Sequence, residues 1–152
     1  MHVHFVCVGN TYRSRLAEAL LNARELPGVR ATSSGIRASE NLNGPVSWQA
    51  LRLLKNHGLI PHMSPHWTQT SAAVLAAADL VVFMEPACRQ YCAEQYGFAG
   101  DCEVWDVPDA GYPFWDGRFD ELEGDARSFA INEETFAMLR ALVEDLARRL
   151  SA

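Results

Sequence analysis

The chain has 152 residues, of which 49% are hydrophobic and 21% charged, and its formal net charge is −6 at pH 7. This length is enough for a substantial core, and we expect one domain over residues 1–152. The negative charge argues against nucleic acid or an anionic membrane as a partner. No apolar run approaches the ~18 residues that a membrane span needs. Four cysteines are too few for a disulfide framework, so we expect reduced thiols in a cytoplasmic protein.

Strands and helices alternate along the chain. Apolar runs predict strands over 3–7, 29–33, 79–84 and 103–105. Helical periodicity predicts helices over 14–25, 45–57, 70–78, 86–95 and 132–150. Caps are predicted at Pro45 in a first turn, at Thr68 or Thr70, and at Gly97. The segment 106–131 is predicted to be a loop. The alternation favours an α/β fold, a four-stranded parallel sheet with helices on both faces and a site at the carboxyl ends of the strands.

The segment 7–14, which reads CVGNTYRS, lies between the first predicted strand and the first predicted helix. The N–H groups of such a loop can point inward as an anion-binding nest, and the helix adds its positive N-terminal end. The guanidinium of Arg13 matches two phosphate oxygens. These positive groups would lower the pKa of Cys7 and hold it as a nucleophilic thiolate. The segment, called the phosphate loop below, therefore predicts phosphate binding and attack by Cys7.

The pattern C-x5-R-S, with Gly9 and Asn10 inside it, resembles the loop of the low-molecular-weight protein tyrosine phosphatases. The segments 32–35, 62–64 and 78–84 are also similar to that family's, so the resemblance covers about residues 1–110. It implies a flavodoxin-like fold and hydrolysis of phosphotyrosine in a protein through a cysteinyl-phosphate intermediate, with inorganic phosphate as the product. It implies no cofactor and no metal, because Arg13 and the loop meet the phosphoryl charge.

The resemblance also implies the roles of individual residues. Cys7 is the nucleophile, and Arg13 holds the phosphate together with the N–H groups of the loop. Ser14 would donate a hydrogen bond to the Cys7 sulfur, and Asn10, assisted by Ser34, would hold the loop in a strained geometry. The predicted substrate-binding residues are Val8, Gly9, Asn10, Thr11, Tyr12, Ser14, Tyr112 and Trp115.

The general acid is predicted in the sequence WDVPDA, residues 105–110, which follows the last predicted strand. In the family an aspartate late in the chain protonates the leaving oxygen and then activates water. Asp109 is the preferred candidate, because a hydrophobic residue and a proline precede the family's aspartate. The proline that usually follows it is Ala110 here. Asp106 and Asp116 are the alternatives.

The substrate class is left open between phosphotyrosine and phosphoarginine. Thr11 resembles the protein-arginine-phosphatase branch of the family, and the loop 36–44 lacks the tryptophan that commonly walls a phosphotyrosine ring. In the other direction, Tyr112, Phe114 and Trp115 stand where the family places aromatics that stack on phosphotyrosine, although they could equally pin the long loop. Phosphotyrosine is the leading hypothesis and phosphoarginine the alternative.

Two further departures define less favoured hypotheses. Tyr12 replaces the family's second loop cysteine, and we expect it to pack at the rim of the loop. Cys88 and Cys92 share a helix face, as relay cysteines of related arsenate reductases would, but Glu85 stands where the first of those cysteines belongs. We therefore expect both thiols to be buried core residues. Ala110 motivates a phosphate-binding module without catalysis, against which the intact phosphate loop argues.

Overall fold

The computed structural model describes residues 1–42, 44–109, 119 and 121–152. Its strands are β1 (His2–Cys7), β2 (Arg30–Gly35), β3 (Leu80–Phe83) and β4 (Cys102–Val104), all parallel in the order β2-β1-β3-β4. Its α-helices are α1 (Arg13–Asn22), α2 (Trp48–Asn56), α3 (Ala72–Ala76), α4 (Pro86–Tyr96) and α5 (Gly124–Leu150). The predicted fold class, an α/β fold with a four-stranded parallel sheet, is confirmed.

The register of the sheet brings the chain segments of the site to one edge. Cys7, the last residue of β1, pairs with Gly35 at the end of β2, and Val6 pairs with Phe83 at the end of β3. Because all strands run in the same direction, the segments that follow them emerge together at this edge. The phosphate loop therefore lies next to residues 36–42, Glu85 and residues 105–109.

Both faces of the sheet are covered, as predicted. On one face, Phe5 packs with residues of α1, α2 and α5, among them Leu16, Leu53 and Leu139, which are all fully buried. On the other face, Val6 and Phe83 pack with Leu75 of α3 and with α4. Each fully buried side chain of this size contributes about 1.5–3 kcal/mol relative to its exposed state. These two layers hold the sheet edge rigid under the site.

Several predicted helix boundaries are wrong, for local reasons. The helix α1 ends at Asn22 and not at residue 25, because Glu25 has a left-handed backbone with φ 50°. Pro45 does not lie in a first turn, because the Ser47 side chain accepts from Ala50 N and starts α2 at Trp48. For α3, Ser71 accepts from Val74 N, so neither Thr68 nor Thr70 is the N-cap. The predicted cap at Gly97 is confirmed by its φ of 65°.

The largest error concerns the last helix. It begins at Gly124, eight residues before the predicted start at residue 132, so the last part of the predicted loop over 106–131 is helical. Asn132 and Thr135 resemble capping residues in the sequence, but both lie buried in the middle of α5. No described helix combines the length and the apolar character that crossing a membrane requires.

Candidate active site

The phosphate loop is held in its shape by Asn10. This buried residue has a left-handed backbone, with φ 54°, which is costly for a residue other than glycine. Its Nδ2 donates to Ser14 Oγ at 2.7 Å and to Ser33 Oγ at 2.9 Å, and its Oδ1 accepts from Thr68 N at 2.8 Å. One side chain therefore fixes the loop to α1, to β2 and to the segment before α3.

The prediction that Ser34 assists Asn10 is wrong, because Ser33 does so. Successive side chains of a strand point to opposite faces. Ser33 faces the loop, whereas Ser34 Oγ lies 2.7 Å from His4 Nε2 and 2.6 Å from Thr70 Oγ1.

The end of β2 supports the loop from below. Backbone N–H groups of Ile36 and Arg37 donate to the carbonyls of Cys7 and Val8 at 3.0 and 2.8 Å. A Cβ on Gly35 would lie 2.6 Å from Val8 O and 2.7 Å from the backbone nitrogen of Asn10. Cβ atoms in proteins essentially never come this close to backbone atoms. Only glycine lets β2 approach this closely.

The sulfur of Cys7 lies at the centre of the loop and receives two hydrogen-bond donors. Asn10 N–H donates to Sγ at 3.2 Å, and Ser14 Oγ lies 2.9 Å from Sγ. Because Ser14 Oγ already accepts from the Asn10 amide, its own proton is available to the sulfur. Both donors are directed at the sulfur of the predicted nucleophile and hold it in position.

Arg13, near the end of the phosphate loop, is buried, and three oxygen-bearing groups surround its guanidinium. Nη1 donates to Val107 O at 2.7 Å, while Nη2 lies 3.5 Å from Glu85 Oε1 and 3.9 Å from Asp109 Oδ2. Burial alone would lower the pKa of Arg13, but Cys7, Asp109 and Glu85 more than compensate and raise it above its usual range. A permanent cation therefore lies next to the nucleophile.

The structure distinguishes between the candidate general acids. Of the two described candidates, Asp109 reaches the Arg13 guanidinium, and its side chain is 40% exposed. Asp106 is exposed, has a left-handed backbone with φ 51° and lines a neighbouring cavity of about 440 Å³. The third candidate, Asp116, lies outside the described residues, as do the predicted aromatic residues Tyr112, Phe114 and Trp115. Among the described candidates, the geometry favours Asp109.

Tyr12 is anchored in the interior instead of packing at the rim of the loop. Its hydroxyl donates to Asn132 Oδ1 in α5. Asn132 is the residue at which the sequence predicted that this helix begins. Burial raises the pKa of Tyr12 above its usual range, so the hydroxyl keeps its proton. The backbone N–H of Tyr12 stays a predicted phosphate donor.

Cys88 and Cys92 lie on the inner face of α4 and are fully buried, as expected. Burial raises the pKa of both thiols, that of Cys92 to about 11. Protonated, buried thiols are poor nucleophiles, which disfavours a cysteine relay. All four cysteines of the chain are free.

Sequence reasoning did not single out Trp48, which directly follows a residue that is hydrogen-bonded to the phosphate loop. The loop 36–44 indeed has no tryptophan, but Trp48 opens α2 and is 62% exposed. The residue before it, Ser47, donates its N–H to Thr11 O at 3.0 Å, so α2 starts against the phosphate loop. A tryptophan in the first turn of the helix predicted over 45–57, close to the loop 36–44, was the signal available in the sequence.

Arg15 was missed as well, because charged residues are seldom fully buried. Its guanidinium donates to Pro45 O at 2.7 Å and to Asn10 O at 3.3 Å, and also to Ser64 O. Glu18 lies nearby and accepts from Ser64 N at 2.7 Å. The pair fastens the segments around residues 45 and 64 to the phosphate loop, and no periodicity in the sequence indicates it.

Among the described residues, no group of three or more His, Cys, Asp or Glu side chains could hold a metal ion. Among the described residues, the charged groups around the Cys7 sulfur are the Arg13 guanidinium and the carboxylates of Glu85 and Asp109.

The sequence profile of a family described as low molecular weight phosphotyrosine protein phosphatase matches residues 2–152. The chain belongs to this family. The resemblance inferred from the phosphate loop is thereby confirmed, and the chain is a phosphatase of the low-molecular-weight type.

Relatives of this phosphatase carry two kinds of name. A protein-arginine-phosphatase of Bacillus subtilis is 37% identical over 101 residues, which are 64% of this chain and 64% of that protein. The alignment therefore spans just under two thirds of that relative's length. The probable low molecular weight protein-tyrosine-phosphatase EpsP of Ralstonia nicotianae is 33% identical over 113 residues, 68% of this chain and 74% of that protein.

Solved structures agree with the fold of the phosphatase. The tyrosine phosphatase Wzb from Escherichia coli K30, in complex with sulphate, has a TM-score of 0.75 at 20% identity and covers 98% of this chain and 97% of its own. The low molecular weight protein tyrosine phosphatase from T. tengcongensis has a TM-score of 0.69 at 26% identity and covers 95% of this chain and 99% of its own.

Proposed function

We propose that this phosphatase hydrolyses phosphotyrosine in protein substrates through a phosphocysteine formed on Cys7. The observation that carries the proposal is the convergence of a hydrogen-bonded sulfur, a buried guanidinium and a carboxyl group at one edge of the sheet. Asn10 N–H lies 3.2 Å from Cys7 Sγ, and Asp109 lies 3.9 Å from the Arg13 guanidinium. These groups supply nucleophile, charge stabilisation and proton within one pocket.

In the first step, the phosphate oxygens bind the N–H groups of residues 8–13 and the guanidinium of Arg13. Cys7 attacks phosphorus in line with the leaving oxygen, and a sulfur–phosphorus bond forms as the phosphorus–oxygen bond breaks. Asp109 transfers its proton to the leaving oxygen of tyrosine.

In the second step, Asp109 takes a proton from water, which attacks the phosphocysteine and releases inorganic phosphate. The sulfur leaves as a thiolate. The Ser14 hydroxyl, 2.9 Å from Sγ, donates to it and makes it a better leaving group.

Phosphotyrosine is favoured by Trp48, an exposed tryptophan that follows Ser47, whose N–H donates to Thr11 O of the phosphate loop. An exposed indole can pack on a phenyl ring. One relative carries the name of a probable tyrosine phosphatase, EpsP. The alternative substrate is phosphoarginine. It is favoured by Thr11 and by the 37% identity to a protein-arginine-phosphatase.

We also propose that residues 1–152 act as one domain and that the enzyme works in a reducing compartment, the cytoplasm. The nucleophile must stay reduced to act, and the chain contains four cysteines without a disulfide.

The test is the initial rate of phosphate release from matched phosphotyrosine and phosphoarginine peptides, with Cys7→Ser as the control. We expect faster release from the phosphotyrosine peptide, and no release from either peptide by Cys7→Ser. Trp48→Ala should slow the phosphotyrosine reaction, and Thr11→Ile should slow only the phosphoarginine reaction. Faster release from phosphoarginine would establish the alternative, and phosphate binding without release from either peptide would overturn the enzyme assignment.

A further inference from the structure

We propose that Glu85 is a positioning residue for Arg13 and that its negative charge limits how tightly the site holds phosphate. The inference rests on the proposed function, because it concerns the same guanidinium. It adds a residue that takes no part in the two chemical steps above.

Glu85 reaches Arg13 from a distant part of the chain, the residue just before α4. It lies two residues after the end of β3, at the sheet edge where β1 ends in Cys7. Its Oε1 lies 3.5 Å from Arg13 Nη2, and the Cys88 thiol donates to the same oxygen at 3.7 Å. The Arg13 side chain is only 3% exposed and that of Glu85 only 25%, so this contact is largely shielded from solvent. A carboxylate fixed between a thiol and a guanidinium determines where the guanidinium points.

Among the described contacts of Arg13, Glu85 is the nearest carboxylate. The carbonyl of Val107, at 2.7 Å from Nη1, carries no net charge. Asp109, at 3.9 Å from Nη2, is the more distant carboxylate and is protonated when it serves as the general acid. Glu85 therefore stays opposite Arg13 during the reaction, whereas the charge of Asp109 changes.

A carboxylate on Nη2 has two consequences for a bound phosphate. It helps to keep the planar guanidinium of Arg13 oriented toward the phosphate-binding N–H groups, which favours catalysis. It also places a negative charge beside a dianion and weakens the attraction between Arg13 and that dianion. Product phosphate is then released more readily.

Two substitutions separate the effect of the Glu85 charge from its effect on the orientation of Arg13. Glu85→Gln keeps the shape and an oxygen that accepts from Arg13, but it removes the charge. Glu85→Ala removes both. The affinity for inorganic phosphate is measured by calorimetry, and kcat and KM are measured with a phosphotyrosine peptide.

We expect Glu85→Gln to bind inorganic phosphate about three- to tenfold more tightly than the unmodified enzyme, with kcat/KM within about threefold. We expect kcat/KM of Glu85→Ala to fall about tenfold, because the Arg13 guanidinium loses the contact that orients it. Glu94→Gln is the matched control: it removes the same charge from an exposed residue on α4 that contacts Gln90. It should change neither quantity, and thermal unfolding checks that all variants are folded.

Unchanged or weaker phosphate binding by Glu85→Gln would overturn the role of the charge. A kcat/KM of Glu85→Ala equal to that of the unmodified enzyme would overturn the positioning role. An unmodified enzyme that binds phosphate but releases none from peptides would instead contradict the proposed function, and the binding measurements would still test Glu85.

Discussion

Two carboxylates face the Arg13 guanidinium, and their surroundings suit different tasks. Glu85 is the nearer and more buried of the two, whereas Asp109 is 40% exposed and can meet both the leaving group and water. A general acid matters most when the leaving oxygen is strongly basic, since that oxygen cannot depart without a proton.

We therefore expect Asp109→Asn to lower kcat about 10²- to 10³-fold for phosphotyrosine and alkyl phosphates. The loss should be much smaller for aryl phosphates whose leaving phenol is acidic. Initial rates over a series of leaving groups measure this dependence. Asp106→Asn is the control and should stay close to the unmodified enzyme. An equal loss across the series would assign the proton transfer to another residue.

At this scale, the sequence predicted the residues that lie together in the chain. Cys7, Arg13 and Ser14 lie within one short motif, and their spacing alone indicates an anion site. Glu85 and Trp48 come from other segments, and only the register of the sheet and the start of α2 bring them to the loop. No spacing rule connects residues that are 35 or more positions apart.

At the scale of elements, the phosphate loop depends on the close approach of β2. The strand end provides N–H donors to the loop carbonyls, and Gly35 leaves room for the loop backbone. A methyl group there would have to displace backbone atoms, which cannot move away as a flexible side chain can.

Gly35→Ala should therefore destabilise the protein by about 2 kcal/mol or more and abolish most of the activity. Urea unfolding and phosphate release measure the two effects. Gly9→Ala is the matched control for stability, because its Cβ would meet only the Thr11 hydroxyl at 3.6 Å, an ordinary contact. If Gly35→Ala were as stable as Gly9→Ala, the approach of β2 would not restrict the loop.

The element boundaries that the sequence predicted incorrectly share one cause. Residue types that favour helix caps occur in the sequence both at helix ends and elsewhere. Tertiary contacts decide which of them cap a helix. Asn132 resembles the start of a helix, yet its carboxamide accepts from the Tyr12 hydroxyl within α5. Thr70 resembles an N-cap, yet its N–H pairs with Gly35 O at 2.9 Å and leaves the cap to Ser71. Strands and long helices were predicted because their apolar periodicity does not depend on such contacts.

At the scale of the whole molecule, the sheet contains a buried polar chain that ties stability to pH. His4, in the middle of β1, is 2% exposed, with Nδ1 2.6 Å from Thr32 Oγ1 and Nε2 2.7 Å from Ser34 Oγ. Burial, together with the charge of His2, lowers the pKa of His4 from 6.5 to about 3. The folded protein therefore keeps this imidazole neutral at pH values where the unfolded chain protonates it.

The free energy of unfolding should reflect this difference between the two states. Below pH 6.5 the unfolded chain binds a proton that folded His4 does not accept until about pH 3. The contribution of neutral His4 to the free energy of unfolding is thus fully present above pH 6.5. Below that pH it falls by about 1.4 kcal/mol per pH unit, or about 2 kcal/mol by pH 5. His4→Gln can keep contacts to both hydroxyls but cannot be protonated, so its stability should fall less steeply. Urea unfolding at several pH values from 7.5 to 5 measures the gap between the two proteins, with exposed His66→Gln as the control. Parallel curves for His4→Gln and the unmodified protein would mean that His4 is not held neutral by the fold.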